Sequence, residues 1–155
     1  MGVLYMINAL NVANSILYKA FKEDIDITPM KLQKLIYITY KEYLKKTNRP
    51  LFSERFEAWR YGPVIASVYD AFRHNKANAI KKFYQEPSGD ILVVDEETSH
   101  EFKTVLNDVW NKYKDFDGIR LSEMTHKRKT AWRKAVSLGN DFLSDDDIKG
   151  EEPFV

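Results

Sequence analysis

The sequence predicts a mainly α-helical domain, with α+β as the alternative: a compact bundle of about five or six helices carrying at most one small antiparallel sheet. Three observations carry that expectation. Apolar residues recur at helical spacing over long segments, most regularly as Phe102, Val105, Leu106, Val109, Trp110 and Tyr113. Helix start and stop signals bracket those segments, as at Thr28-Pro29 and Asn48-Arg49-Pro50. Strand-like stretches are short and flanked by turn residues, as at Leu51 to Tyr61 and Ile91 to Val94.

Ile7, Leu10, Asn14, Leu17 and Phe21 share one side of a helix over Ile7 to Phe21, with Asn11 and Asn14 interrupting the apolar pattern. An asparagine there either holds neighbouring backbone or caps and faces water, and the latter is the commoner use. Thr28 supplies a capping oxygen and Pro29 a first helical residue for a second helix, Pro29 to Lys46. Leu32, Leu35, Ile36, Thr39, Tyr40 and Tyr43 form its inner stripe, widened by Met30, Tyr37, Ile38 and Leu44. So broad an apolar surface belongs to the central helix of the core. Its cations, Lys31, Lys34, Lys41, Lys45 and Lys46, are expected to form a solvated face.

Leu51 to Tyr61 reads as a short strand or extended segment, and Gly62-Pro63 as a turn opening a helix to about Arg73. Asn78 to Phe83 suggests one or two further helical turns, and Phe83-Tyr84-Gln85 a hairpin partner for Ile91 to Val94 across the Pro87-Ser88-Gly89-Asp90 turn. A regular amphipathic helix is expected over Glu96 to Lys114, with acids at its start. One helical turn at Leu121 to Met124 and a short helix from Thr130 to Ser137, closed by Gly139, complete the bundle. Residues 1–140 form one domain on this reading. Residues 141–155, with Asp145-Asp146-Asp147 and Glu151-Glu152, form an acidic mobile tail.

Composition narrows the function. With 44% hydrophobic and 14% aromatic residues, the 155-residue chain can bury one ordinary core. Its 24 basic and 23 acidic side chains nearly cancel, so whole-molecule charge argues for neither nucleic acid nor membrane. The absence of cysteine excludes disulfides, iron–sulfur clusters, thiolate catalysis and a thiolate zinc site. Met1 to Leu10 is apolar without a basic n-region, and no uncharged run approaches the roughly 20 residues that span a bilayer. A cytoplasmic protein is expected.

A search for chemistry finds no catalytic residue, cofactor or metal site. The three histidines, His74, His100 and His126, lie far apart in sequence. No metalloprotease, nucleophile-elbow, phosphate-loop or dinucleotide pattern is present. An enzyme would require folding to join His126 to a carboxylate such as Glu57 or Asp70. Interface-type residues are plentiful: Trp59, Arg60, Tyr61, His126 and Trp132 would make a partner-binding patch if they gather on one surface. Core packing of both tryptophans is the other reading. Lys127, Arg128, Lys129, Arg133 and Lys134 offer an alternative, nucleic-acid-binding stretch.

Three runs carry a resemblance. Thr28-Pro29-Met30-Lys31-Leu32-Gln33-Lys34-Leu35-Ile36-Tyr37 resembles the first signature of the Panacea-domain family, the SocA/GepA-like antitoxins. Phe56-Glu57-Ala58-Trp59-Arg60-Tyr61-Gly62-Pro63-Val64, followed by Val68-Tyr69, resembles the second. Leu121-Ser122-Glu123-Met124-Thr125-His126 with Ala131-Trp132 resembles the third, although Thr130-Ala131 stands where Gly-Pro is common before the tryptophan. The resemblance covers about residues 5 to 137 and implies a mostly helical bacterial or prophage protein. It implies an antitoxin that neutralises a toxin, encoded by an adjacent gene, by direct contact. It brings no catalytic residues. A phage or prophage regulatory role, with nucleic acid as the partner, is the alternative function.

Overall fold

The computed structural model describes residues 7–155, so the apolar stretch before Ile7 lies outside the described residues. Helix α1 spans Ala9–Glu23, capped by Asn8, whose side chain accepts from the Asn11 N–H at 2.8 Å. Helix α2 spans Pro29–Thr47, and its start follows the expected device: Thr28 caps and Pro29 takes the first helical position. A hairpin follows, with β1 at Glu57–Trp59 and β2 at Gly62–Val64. Beyond it come α3 (Ala66–Phe72), a 3₁₀ turn at Arg73–Asn75, α4 (His100–Tyr113), α5 (Gly118–Thr125), α6 (Ala131–Leu138) and α7 (Asp145–Gly150). The fold is mainly α, with one two-stranded antiparallel sheet among the described residues.

α2 is the hub. α1, α3, α4, α5, α7 and the hairpin all pack against it, and every residue from Lys31 to Lys41 is buried. The lysines of this helix therefore do not form the expected solvated face. Lys31 donates to the Lys114 carbonyl at the end of α4, Lys34 to the Pro63 carbonyl of β2, and Lys41 to Glu151 and the Glu152 carbonyl beyond α7. Lys45 reaches the Glu151 carbonyl, and only Lys46 of the five is exposed. Buried ammonium groups need partners, and here the partners are chain ends and carbonyls of the elements that surround the hub.

The hairpin register pairs Glu57 with Val64, Ala58 with Pro63 and Trp59 with Gly62. Pro63 thus lies in a strand and does not open a helix; α3 begins at Ala66. A proline is tolerated because the residue opposite, Ala58, sends its N–H outward to the Asp141 carbonyl at 2.8 Å, leaving Pro63 at a pair that needs no ladder bond.

Further differences from the sequence expectations lie in the C-terminal half and around Asn14. The 141–155 segment is packed: Leu143 donates its N–H to the Phe56 carbonyl, Phe142 bridges to Glu57, and Ser144 caps α7. Leu143 and Ile148 enter the core, and Glu151 is only 3% exposed. Two of its acids are paired, Glu151 with Lys41 at 3.3 Å and Asp147 with Lys134 at 2.9 Å, while Asp145, Asp146 and Glu152 are exposed. Residues 78–83 are not helical, and the segments around Tyr84 and Leu92 form no strand ladder. The buried Asn14 of α1 takes the place of that ladder. Its amide donates to the Tyr84 and Leu92 carbonyls, both at 3.0 Å, and accepts from the Tyr84 N–H at 3.0 Å. Holding backbone, the less common use, is the one found. α4 starts at His100 and not Glu96 because Asp95 closes a turn, accepting from the Ser99 and Glu97 N–H groups.

Candidate partner-binding surface

The residues of the three signature runs meet at the hairpin turn, Trp59-Arg60-Tyr61-Gly62. From α2, the Gln33 amide grips Ile65 at both backbone atoms, donating to its carbonyl at 3.1 Å and accepting from its N–H at 3.0 Å. Lys34 holds the Pro63 carbonyl at 2.9 Å. From the other side, Ser122 of α5 donates to the Tyr61 carbonyl at 2.5 Å, and His126 Nε2 faces the Arg60 carbonyl at 2.9 Å. Trp132 of α6 donates its indole N–H to the Trp59 carbonyl at 2.6 Å. Five carbonyls between Trp59 and Ile65 are thus occupied by side chains from three helices. The turn is fixed by its backbone, which frees its side chains to face outward.

Gly62 is required at the tip. Its φ is +119°, and a Cβ there would meet Thr125 Oγ1 at 2.6 Å and Lys34 Cε at 2.9 Å. Burial alone pushes the Lys34 ammonium down to about 7, since no carboxylate offsets it. The same burial lowers Lys41, there opposed by Glu151, and raises the Tyr37 hydroxyl, which donates to Glu151 at 2.5 Å.

Of the five interface candidates, Arg60 and Tyr61 are exposed, Tyr61 at 54%. Trp59 is half-buried, stacked edge-on against Tyr69 with centroids 4.7 Å apart. His126 is half-buried between the Ser122 and Arg60 carbonyls, its ring 3.9 Å from that of Trp132. Trp132 is 6% exposed, so it supports the surface from beneath and is not on it. The five gather in one place, but two layers separate them.

In the basic stretch, Lys127, Arg128 and Lys129 are exposed, as are Arg133, which donates twice to the His126 carbonyl, and Lys134, which pairs with Asp147. All five cations are exposed, and among the described residues only Lys134 is paired with an acid. His126 meets backbone carbonyls, and no histidine–carboxylate pair occurs among the described residues. Nor, among those residues, does any group of three His, Asp or Glu side chains converge as a metal site. No described helix is long and apolar enough to cross a membrane.

Lys34 was expected on a solvated face, and Gln33 and Ser122 had no role beyond the signature runs, yet all three hold the turn. The available signal was the placement of Gln33 and Lys34 inside an otherwise apolar segment of α2, where charge is costly unless it is used.

Residues of all three signature runs thus converge on one turn, whose Arg60 and Tyr61 are exposed. The family model described as antitoxin SocA-like, Panacea domain, matches residues 32–133, and the chain belongs to that family. Over 69 residues it is 44% identical to the antitoxin SocA of Caulobacter vibrioides (strain NA1000 / CB15N). That match takes in 44% of this chain and 37% of the relative, so well under half of the relative's length is covered. No solved structure matches.

Proposed function

We propose that this protein is a non-catalytic cytoplasmic antitoxin that neutralises a cognate toxin by direct binding through the Trp59-Arg60-Tyr61 turn and the adjoining His126. The carrying observation is the immobilised turn itself: three helices spend buried polar groups on its backbone, while Arg60 and Tyr61 stay exposed. A tyrosine and an arginine on a rigid loop contribute interface energy with little ordering cost. The membership in an antitoxin family supports the same reading. The toxin is expected to be the product of an adjacent gene. Co-expression tests this. A neighbour that is toxic alone, is rescued by this chain and co-purifies with it is expected; a harmless neighbour that does not co-purify overturns the reading.

A further inference from the structure

Beneath the turn lies a cleft of about 430 Å³, between α2, the hairpin and α3. Trp59, Tyr61 and Tyr69 wall it with aromatic rings. Three cations, Lys34, Arg60 and Lys76, line it, and no carboxylate does. Lys34 is the unusual one. It is 1% exposed, has no acidic partner, and spends one N–H on the Pro63 carbonyl. Its remaining two N–H groups make no hydrogen bond among the described residues. The other buried lysines differ: Lys41 has Glu151 as counter-ion, and Lys31 caps the carbonyl end of a helix. Fastening one carbonyl is work a neutral glutamine does next door at Ile65, so the carbonyl alone does not account for a buried ammonium.

We propose that this cleft is a binding site for a small organic carboxylate with an apolar, ring-sized body, its carboxylate held by Lys34 and its body packed against the cleft side of the touching Trp59 and Tyr69 rings. The volume falls within the range of small-ligand pockets, which are apolar with a few fixed polar groups. A carboxylate would supply the missing charge partner and accept the two unused N–H groups as charge-assisted bonds. Arg60 at the rim would add a second cation of matching geometry. The site reaches beyond toxin binding, since its occupant would be a small molecule and not a protein. It also lies directly under the turn, so an occupant would contact the residues that face outward.

The test uses the intact chain, titrated with phenylpropionate, with the isosteric alcohol phenylpropanol, and with acetate, and followed by Trp59-sensitive fluorescence and calorimetry. Phenylpropionate is expected to bind at least about tenfold more tightly than the alcohol. Lys34→Met is expected to erase that preference. Equal binding of acid and alcohol overturns the proposal, as does a preference that survives in Lys34→Met. Acetate competing as well as phenylpropionate would mark a bare anion site and also overturns it. A peptide ending in a phenylalanine carboxylate that binds more tightly than the free acid would hand the cleft to a polypeptide terminus. Tyr69→Ala, at the exposed wall, provides a second variant if Lys34→Met fails to fold. It should weaken acid and alcohol together and leave their ratio intact, and an unchanged affinity for both overturns the placement.

Discussion

The indole Nε1 of Trp132 lies 2.6 Å from the carbonyl oxygen of Trp59, joining two signature runs 73 residues apart. The bond is short, buried at its donor end, and anchors the first residue of the hairpin turn. Trp132→Phe keeps the ring against His126 but leaves the Trp59 carbonyl without its donor. A loss of about 1–2 kcal/mol is expected in urea unfolding, with faster amide exchange confined to residues 59–62. Exchange that rises evenly across the fold would contradict the anchoring role.

At the tip, Gly62→Val is expected to cost about 3 kcal/mol or more. It combines a left-handed φ with a Cβ placed against Thr125 and Lys34. The same substitution at Gly139, also at positive φ but with open space around it, should cost less. Thermal melts of the two variants side by side distinguish crowding from backbone strain.

Lys34 gives the fold a pH dependence whose sign follows from its depressed affinity for protons. The unfolded chain holds that proton up to the ordinary lysine range, whereas the folded chain releases it near 7. Between those limits the unfolded state binds more protons, so stability rises with pH. Below 7 both states are charged and the full penalty of a buried ammonium is present. Lys34→Met should therefore be more stable than the parent at pH 6, by roughly 2–5 kcal/mol, and the gap should close towards pH 10. Parallel curves in chemical unfolding at the two pH values would show that Lys34 is not the source.

Glu151 ties the last helix to the hub through Lys41 and Tyr37, at 3.3 and 2.5 Å, and to α6 through the Ala131 N–H at 2.7 Å. Glu151→Gln leaves Lys41 buried without its counter-ion and should cost about 3–5 kcal/mol. Glu152→Gln, at an exposed neighbour, should be nearly silent. Equal melting temperatures for the two variants would return this segment to the status of a loosely attached tail.

Much of the helical frame was legible because it rests on local rules. The α2 start at Thr28-Pro29, the α6 end at Gly139 and the α4 stripe all come from capping and periodicity. The misreadings share a different cause. Pro63 suits a helix start by its own chemistry, but a strand when Asp141 takes the N–H of Ala58 across from it. The lysines of α2 read as solvated until α4, β2 and the C-terminal segment are brought to them, since a buried charge is justified only by partners distant in sequence. Asn14 likewise replaces a ladder that local alternation suggested. The candidate surface was legible as residue types and as a resemblance. Its layering, with Tyr61 outside and Trp132 beneath, was not, because periodicity does not reveal which aromatic covers which.

Direct toxin binding through the turn is tested most sharply by a doubly substituted chain, Arg60→Glu with Tyr61→Ala, co-expressed with the adjacent gene's product. Both side chains are exposed, so the melting temperature should stay within about 0.5 kcal/mol equivalent of the parent. Loss of rescue and of co-purification at that unchanged stability is the result direct binding through the turn predicts. A stable double variant that still neutralises and retains the toxin would contradict it.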